Sequence, residues 1–123
     1  METDFLTQKV IGCAIEVHKQ LGPGLLENSY EACLFHELKL QKIDVKRQVY
    51  LPINYKGQSI DAGYRLDILI PSKLIIELKS IDKIAPIHMA QIMTYLKLSK
   101  IRTGLLINFN VNKLTDGLKR ITI

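Results

Sequence analysis

The sequence contains only two cysteines, Cys13 and Cys33, too few for a disulfide framework and without zinc-ribbon spacing. Both fall in segments of helical periodicity, so they read as buried small hydrophobes in a reducing compartment. No apolar run much exceeds strand length, because Lys or Glu interrupts each one, which excludes a segment able to span a bilayer. The first ten residues, METDFLTQKV, are acidic and then amphipathic, unlike the basic start and apolar core of a secretory signal. A cytoplasmic address without membrane association is expected. Internal repeats, low-complexity tracts and linkers are also missing. The 123 residues therefore suit one domain, 1–123, and are too few for two comfortable ones. No P-loop or dinucleotide fingerprint is visible, and Gly22-Pro23-Gly24 is not one. A helix-turn-helix, a zinc finger and a basic aromatic strand are equally lacking.

What is present is ordinary in bulk: 47% hydrophobic and 24% charged residues, the composition of a globular protein. Lys and Arg total 17 against 12 Asp and Glu, a formal charge of +5. That excess favours a polyanionic partner and speeds encounter with it. The basic residues are dispersed, with loose groups at Lys46-Arg47, Lys97-Lys100-Arg102 and Lys119-Arg120.

Periodicity orders the chain. From Thr3 to Leu21, Leu6, Val10, Cys13, Val17 and Leu21 recur at steps of three and four, predicting an amphipathic helix. Gly22-Pro23-Gly24 must end it. A second helix is predicted over about Leu26 to Gln41, with Tyr30, Leu34 and Leu38 on one stripe. The period then becomes alternating. Val45, Val49, Leu51, Ile53 and Tyr55 share one face of a first strand, in which Pro52 implies an edge or a bulge. Lys56-Gly57 fits a turn. A second strand over Ser59 to Ile70 has apolar even positions: Ile60, Ala62, Tyr64, Leu66, Ile68 and Ile70. Pro71-Ser72 breaks the chain, and Leu74 to Leu78 forms a third strand, completing an antiparallel meander. Pro86 suits the first turn of a helix running from Ile87 to Ser99. The apolar run Thr103 to Phe109 reads as a strand buried on both faces. Leu114, Leu118 and Ile121 suggest a short closing helix or a mixed tail. The order predicts an α/β sandwich with a mixed sheet, the third helix crossing over, right-handed, to set the fourth strand parallel to the third.

Charged residues that break this pattern carry the chemistry. Asp67 lies at an odd position of the second strand, opposite to the apolar series. Glu77 and Lys79 share a face of the third strand, roughly 6.6 Å apart along it. If Pro71-Ser72-Lys73 is a three-residue loop, partner numbers sum to 144, and Asp67 faces Glu77 with Cβ atoms roughly 4.5–5.5 Å apart. A two-residue loop would instead stagger them. Facing carboxylates repel unless a cation or a proton lies between them. A divalent ion such as Mg²⁺ takes one or two carboxylates together with water and phosphate. It could activate a bound water and polarise a phosphodiester, while Lys79 orients the water or neutralises charge on phosphate. The same spacing also fits a surface hairpin with a Glu-Lys outer face. Glu27 heads the Leu34–Leu38 stripe of the second helix. There it interacts favourably with the helix dipole, or reaches the rim of the site as an added ligand. On the third helix His88, Gln91 and Tyr95 lie on one face. Gln91 and Tyr95 suit holding a phosphate or ordering the lysine, or mark the boundary of the helix. His88 reads as a structural or surface histidine.

Laid out this way, the chain resembles the GxxExxY proteins, a branch of the PD-(D/E)XK nuclease superfamily. The naming motif is Gly24-Leu25-Leu26-Glu27-Asn28-Ser29-Tyr30. Asp67 followed by Glu77-Leu78-Lys79 matches the superfamily's acid and acid-x-Lys. Gln91-Ile92-Met93-Thr94-Tyr95 looks like the QxxxY element of RecB-like members, and Leu106-Ile107-Asn108-Phe109-Asn110 completes the likeness. Leu66, not Pro, precedes Asp67, a departure often met in the superfamily. The resemblance implies an αβββαβ core with a mixed central sheet flanked by helices, a Mg²⁺ or Mn²⁺ site, and hydrolysis of phosphodiester bonds in DNA or RNA. It implies that Asp67 and Glu77 bind metal, that Lys79 assists catalysis, that Glu27 is the helix carboxylate near the metal, and that Gln91 and Tyr95 support the site. A nuclease acting on DNA is the expected function. The alternatives are a non-catalytic nucleic-acid-binding or accessory module, and a hydrolase of another phosphate ester. So small a surface for substrate selection favours a homodimer or a larger protein partner.

Overall fold

The computed structural model describes residues 2–123, with side chains from Asp4 onward. Two helices come first, α1 (Glu2–Leu21) and α2 (Glu27–Leu40). Seven strands follow: β1 (Lys46–Tyr50), β2 (Ile53–Tyr55), β3 (Gln58–Ile60), β4 (Arg65–Ile70), β5 (Leu74–Lys79), β6 (Thr103–Asn108) and β7 (Leu118–Thr122). Helix α3 (Pro86–Ser99) links β5 to β6, and a 3-10 turn over Leu114–Gly117 precedes β7.

Five strands make the main sheet in the order β1-β4-β5-β6-β7. β5 and β6 are parallel and the other neighbours antiparallel, so the sheet is mixed, as expected. The parallel pair exists because α3 carries the chain back across the sheet. β6 is buried at all six positions, which accounts for the unbroken apolar run TGLLIN.

The two faces are covered by different helices. Val10, Val17, Tyr30, Leu34 and Leu38 of α1 and α2 pack with Ile68, Ile70, Ile76, Leu78, Leu105 and Ile107. On the other face Ile92, Tyr95 and Leu96 of α3 pack with Ile75, Leu106 and Ile121. The stripe Tyr30–Leu34–Leu38 is fully buried, each such side chain stabilising the fold by about 1.5–3 kcal/mol.

Three expectations change. The segment expected as one strand from Val45 to Tyr55 is two, separated at Leu51-Pro52, and the segment from Ser59 to Ile70 is likewise broken over residues 61–64. Pro52 cannot donate to a ladder, and the Asp61 carboxylate accepts the Gly63 N–H at 2.9 Å, a local bond that competes with pairing. The β2–β3 hairpin therefore forms a separate two-stranded sheet. Ile60 and Tyr55, placed by their alternation on a buried face, are 42% and 58% exposed. Cys33, expected buried like Cys13, is exposed, because it lines an open groove between α1 and α2 instead of the stripe that packs on the sheet. The tail after β6 is a 3-10 turn and then a strand antiparallel to β6. Gly117 is required there: a Cβ would lie 2.1 Å from the Asn108 carbonyl oxygen.

Candidate active site

The site begins with a turn. Pro71-Ser72-Lys73 forms a three-residue loop, with Lys73 N–H donating to the Ile70 carbonyl at 3.0 Å and Ser72 in the left-handed region at φ 63°. The pairs Ile70–Leu74, Leu69–Ile75 and Ile68–Ile76 follow, all in the register whose numbers sum to 144. The ladder stops there. Beyond it, Asp67 N–H donates to Glu77 Oε1 at 3.3 Å and Leu78 N–H donates to Asp67 Oδ2 at 2.9 Å. Carboxyl oxygens thus take backbone protons across the gap where the two strands part. The alternation of β4 also slips at this point. Leu66 packs on the α3 side, whereas Ile68 and Ile70 pack on the α1–α2 side. Opposite Asp67, Gln48 of β1 has a positive φ of 50°, a conformation uncommon outside glycine.

Electrostatics follow from this opening. Glu77 is only 7% exposed. Burial first, then the charge of Asp67 and a hydrogen bond to it, push the Glu77 carboxyl up to about 10, against the lowering influence of Lys79. The proton kept by Glu77 relieves a repulsion that a cation would also relieve. Tyr95 of α3 feels both acids: burial, then Glu77 and Asp67, raise its phenol above the usual tyrosine range, while a hydrogen bond from Gln91 opposes the shift. Gln91 itself is exposed. Lys79 is half-buried at the end of β5, where its carbonyl accepts Phe109 N–H at 2.9 Å. Asn108 ties the next loop to β6: its Oδ1 accepts Ile81 N–H at 3.1 Å and its amide donates to the Ile81 carbonyl at 2.9 Å.

Asp67, Glu77, Lys79 and Tyr95 therefore converge, while Glu27 stands at the rim. It is exposed on the first residue of α2 and accepts Ser80 N–H at 3.4 Å. Among the described residues no three His, Cys, Asp or Glu side chains are grouped to hold a metal. The donor set nearest to that requirement is the Asp67–Glu77 pair, which fits an ion that binds through one or two carboxylates and completes its shell with water. Tyr30, the last letter of the glycine–glutamate–tyrosine motif, is structural. Its hydroxyl donates to the Gly22 carbonyl at 2.5 Å and accepts Leu25 N–H at 3.1 Å, and its ring stacks on Phe109 at 4.5 Å. It holds the loop in which Gly24 takes a φ of 98°, and so presents Glu27. His88 is structural as well, its Nδ1 accepting Ala85 N–H at 2.9 Å at the start of α3.

One carboxylate escaped the sequence reading. Glu31, four residues beyond Glu27 on the same stripe, is 4% exposed. It accepts Arg47 Nε–H at 3.0 Å and Gln48 Nε2–H at 2.9 Å, and Arg47 Nη2 lies at 3.0 Å. Burial raises its carboxyl despite the Arg47 hydrogen bond, and Asp67 adds to the shift. Its place on the Glu27–Leu34–Leu38 stripe was visible at helical spacing, but its burial was not, since the partners that seal it are Arg47 and Gln48.

A sequence model described as the PD-(D/E)XK nuclease superfamily matches residues 4–121. The chain belongs to that superfamily. No curated protein and no solved structure matches it. Membership agrees with the mixed sheet flanked by helices and points to a nuclease-type function. Among the described residues, no helix of this superfamily member is long and apolar enough to cross a membrane.

Proposed function

We propose that this protein is a metal-dependent nuclease of the GxxExxY branch, hydrolysing phosphodiester bonds with DNA as the expected substrate. The observation that carries the reading is the Asp67–Glu77 pair, held face to face where the β4–β5 ladder opens, with Lys79 two residues further along β5. A buried Glu77 carboxyl set against the half-buried Asp67 across the opened ladder is poorly explained as packing. Asp67 and Glu77 would hold Mg²⁺ or Mn²⁺. When bound, such an ion supplies a polarised phosphoryl oxygen and a water of lowered pKa. Lys79 places a fixed cation beside the phosphate, where it offsets charge as the attacking oxygen bonds to phosphorus. Tyr95, fixed by Gln91, covers the acids and excludes water from their α3 side. Glu27 at the rim orients water or substrate, and Glu31 with Arg47 sets the position of the β1–β4 distortion from which Asp67 projects. The Ser80–Leu25 hydrogen bond at 2.5 Å keeps the rim and the catalytic strand in one frame.

The test is cleavage of single- and double-stranded DNA and RNA with Mg²⁺, Mn²⁺ or EDTA, beside Lys79→Ala. Cutting that requires metal and is lost in the variant supports the reading and identifies the substrate. Nucleic-acid binding without cutting in any metal would favour an accessory module. Cutting confined to mononucleotide esters would favour a different phosphate-ester hydrolase.

A further inference from the structure

A cleft of about 330 Å³ opens between α3 and the chain that carries the outer β2–β3 hairpin. Ile53 and Tyr64 form one wall; Ile87, Gln91, Thr94 and Tyr95 form much of the other. Tyr64 is 39% exposed and meets Tyr95 edge-on, with ring centroids 6.0 Å apart at an angle of 62°. Tyr95 is thus shared: one side lines the cleft, and its phenol lies within the field of Glu77 and Asp67. Tyr95 is the residue that links the cleft to the acidic site.

We infer that this cleft receives an unpaired nucleobase of a single-stranded or frayed nucleic acid, stacked on Tyr64 beside the site at Asp67 and Glu77. The inference rests on the nuclease reading and adds a substrate class to it. An aromatic ring, aliphatic walls and the Gln91 amide are the groups that bind a base by its face and its edge. The flanks suit a phosphate backbone. Exposed Lys56, Arg65 and Lys97 border the hairpin and α3, and the Arg65 guanidinium sits 5.0 Å over the Tyr50 ring. Asp61 is the opposing charge, 4.0 Å from Arg65. In a duplex the base faces are covered by their neighbours, so only an unpaired or splayed base presents the face that Tyr64 can use. Because every base has such a face, the subsite carries little sequence preference.

The test is binding of a 2-aminopurine-labelled single strand, and of the same sequence as a duplex, in EDTA. The full chain is compared with Tyr64→Ala and Tyr64→Phe. The single strand is expected to bind more tightly than the duplex, with quenching of the aminopurine. Tyr64→Ala should weaken single-strand binding at least about fivefold and abolish the quench, while Tyr64→Phe restores both. Thermal melting of each variant checks that the fold is retained. Unchanged single-strand affinity and quench in Tyr64→Ala would overturn the inference. If Lys79→Ala still abolished metal-dependent cleavage in that case, the nuclease reading would stand without this subsite. Absence of single-strand binding would overturn the inference, whereas absence of metal-dependent cleavage of any nucleic acid would overturn the nuclease reading.

Discussion

The β4–β5 and β2–β3 hairpins share the same sequence signals, apolar alternation and a short turn, and meet different fates. The inner hairpin buries Ile68, Ile70, Leu74 and Ile76 beneath α1 and α2. The outer one leaves Ile60 and Tyr55 exposed, and its three pairs, Ile53–Ile60, Asn54–Ser59 and Tyr55–Gln58, stand apart from the main sheet. Alternation sets which residues share a face; burial of that face requires something to pack against it. In the inner hairpin the packing is strong enough to hold two acids where the ladder opens. In the outer hairpin the unspent apolar surface becomes the wall of a cleft.

Several substitutions would break or sharpen this contrast. The largest effect is expected at the end of β5. Lys79→Ala should lower the cleavage rate about 10³-fold, near 4 kcal/mol of transition-state stabilisation, with little change in melting temperature. Parallel kinetics and calorimetry check it, and a proportionate loss of stability would reduce Lys79 to a structural role. Ile76→Ala, inside the inner hairpin, should cost about 3 kcal/mol through lost burial and a cavity, read from denaturant unfolding. Arg47→Ala leaves the buried Glu31 carboxylate with Gln48 alone. It should cost about 2 kcal/mol, below the range for a fully buried pair because the Arg47 side chain is 35% exposed.

A fourth prediction concerns pH. Burial and Asp67 push the Glu77 carboxyl up to about 10 in the folded chain, from the 4.5 of a solvated glutamate, so the folded state holds an extra proton between those values. The stability linked to it is complete below about pH 4.5 and is lost as pH rises toward 10. In EDTA, Glu77→Gln should therefore be more stable than the parent at pH 8 by at least about 1 kcal/mol, and the advantage should shrink at pH 5. Melting curves at the two values decide it; an equal difference at both would show that Glu77 is not the group responsible. The smallest effect belongs to the outer hairpin. Ile60→Ala should change stability by less than about 0.5 kcal/mol, and a larger loss in denaturant would show that the hairpin is packed in solution.

Much of this was legible from spacing. The helices and the parallel β6 follow from periodicity and from where Gly and Pro fall, whereas the turn after β4 left two registers open. The meeting of Asp67 and Glu77 was legible only as one of two outcomes, because it depends on a turn length that the tertiary structure decided. The break at Leu51-Pro52 was less so, since Pro52 signals an edge or a bulge without saying where the strand resumes. Glu31 was hidden by its neighbour: Glu27 at the first turn drew attention as the helix carboxylate, and nothing local distinguishes an exposed Glu from a buried one four residues later. That distinction depends on Arg47 and Gln48, which lie 16 and 17 residues further along the chain.

By itself, the sequence determined the order of the three helices, their buried faces and the hairpin of β4 with β5, because these depend on neighbours a few residues apart. Only the tertiary structure decided that the ladder opens at Asp67, that Glu31 is sealed against Arg47, and that the β2–β3 hairpin stands off to leave a cleft beside Tyr95. Each of those depends on what distant segments cover, and coverage is a property of the packed chain rather than of any stretch of it.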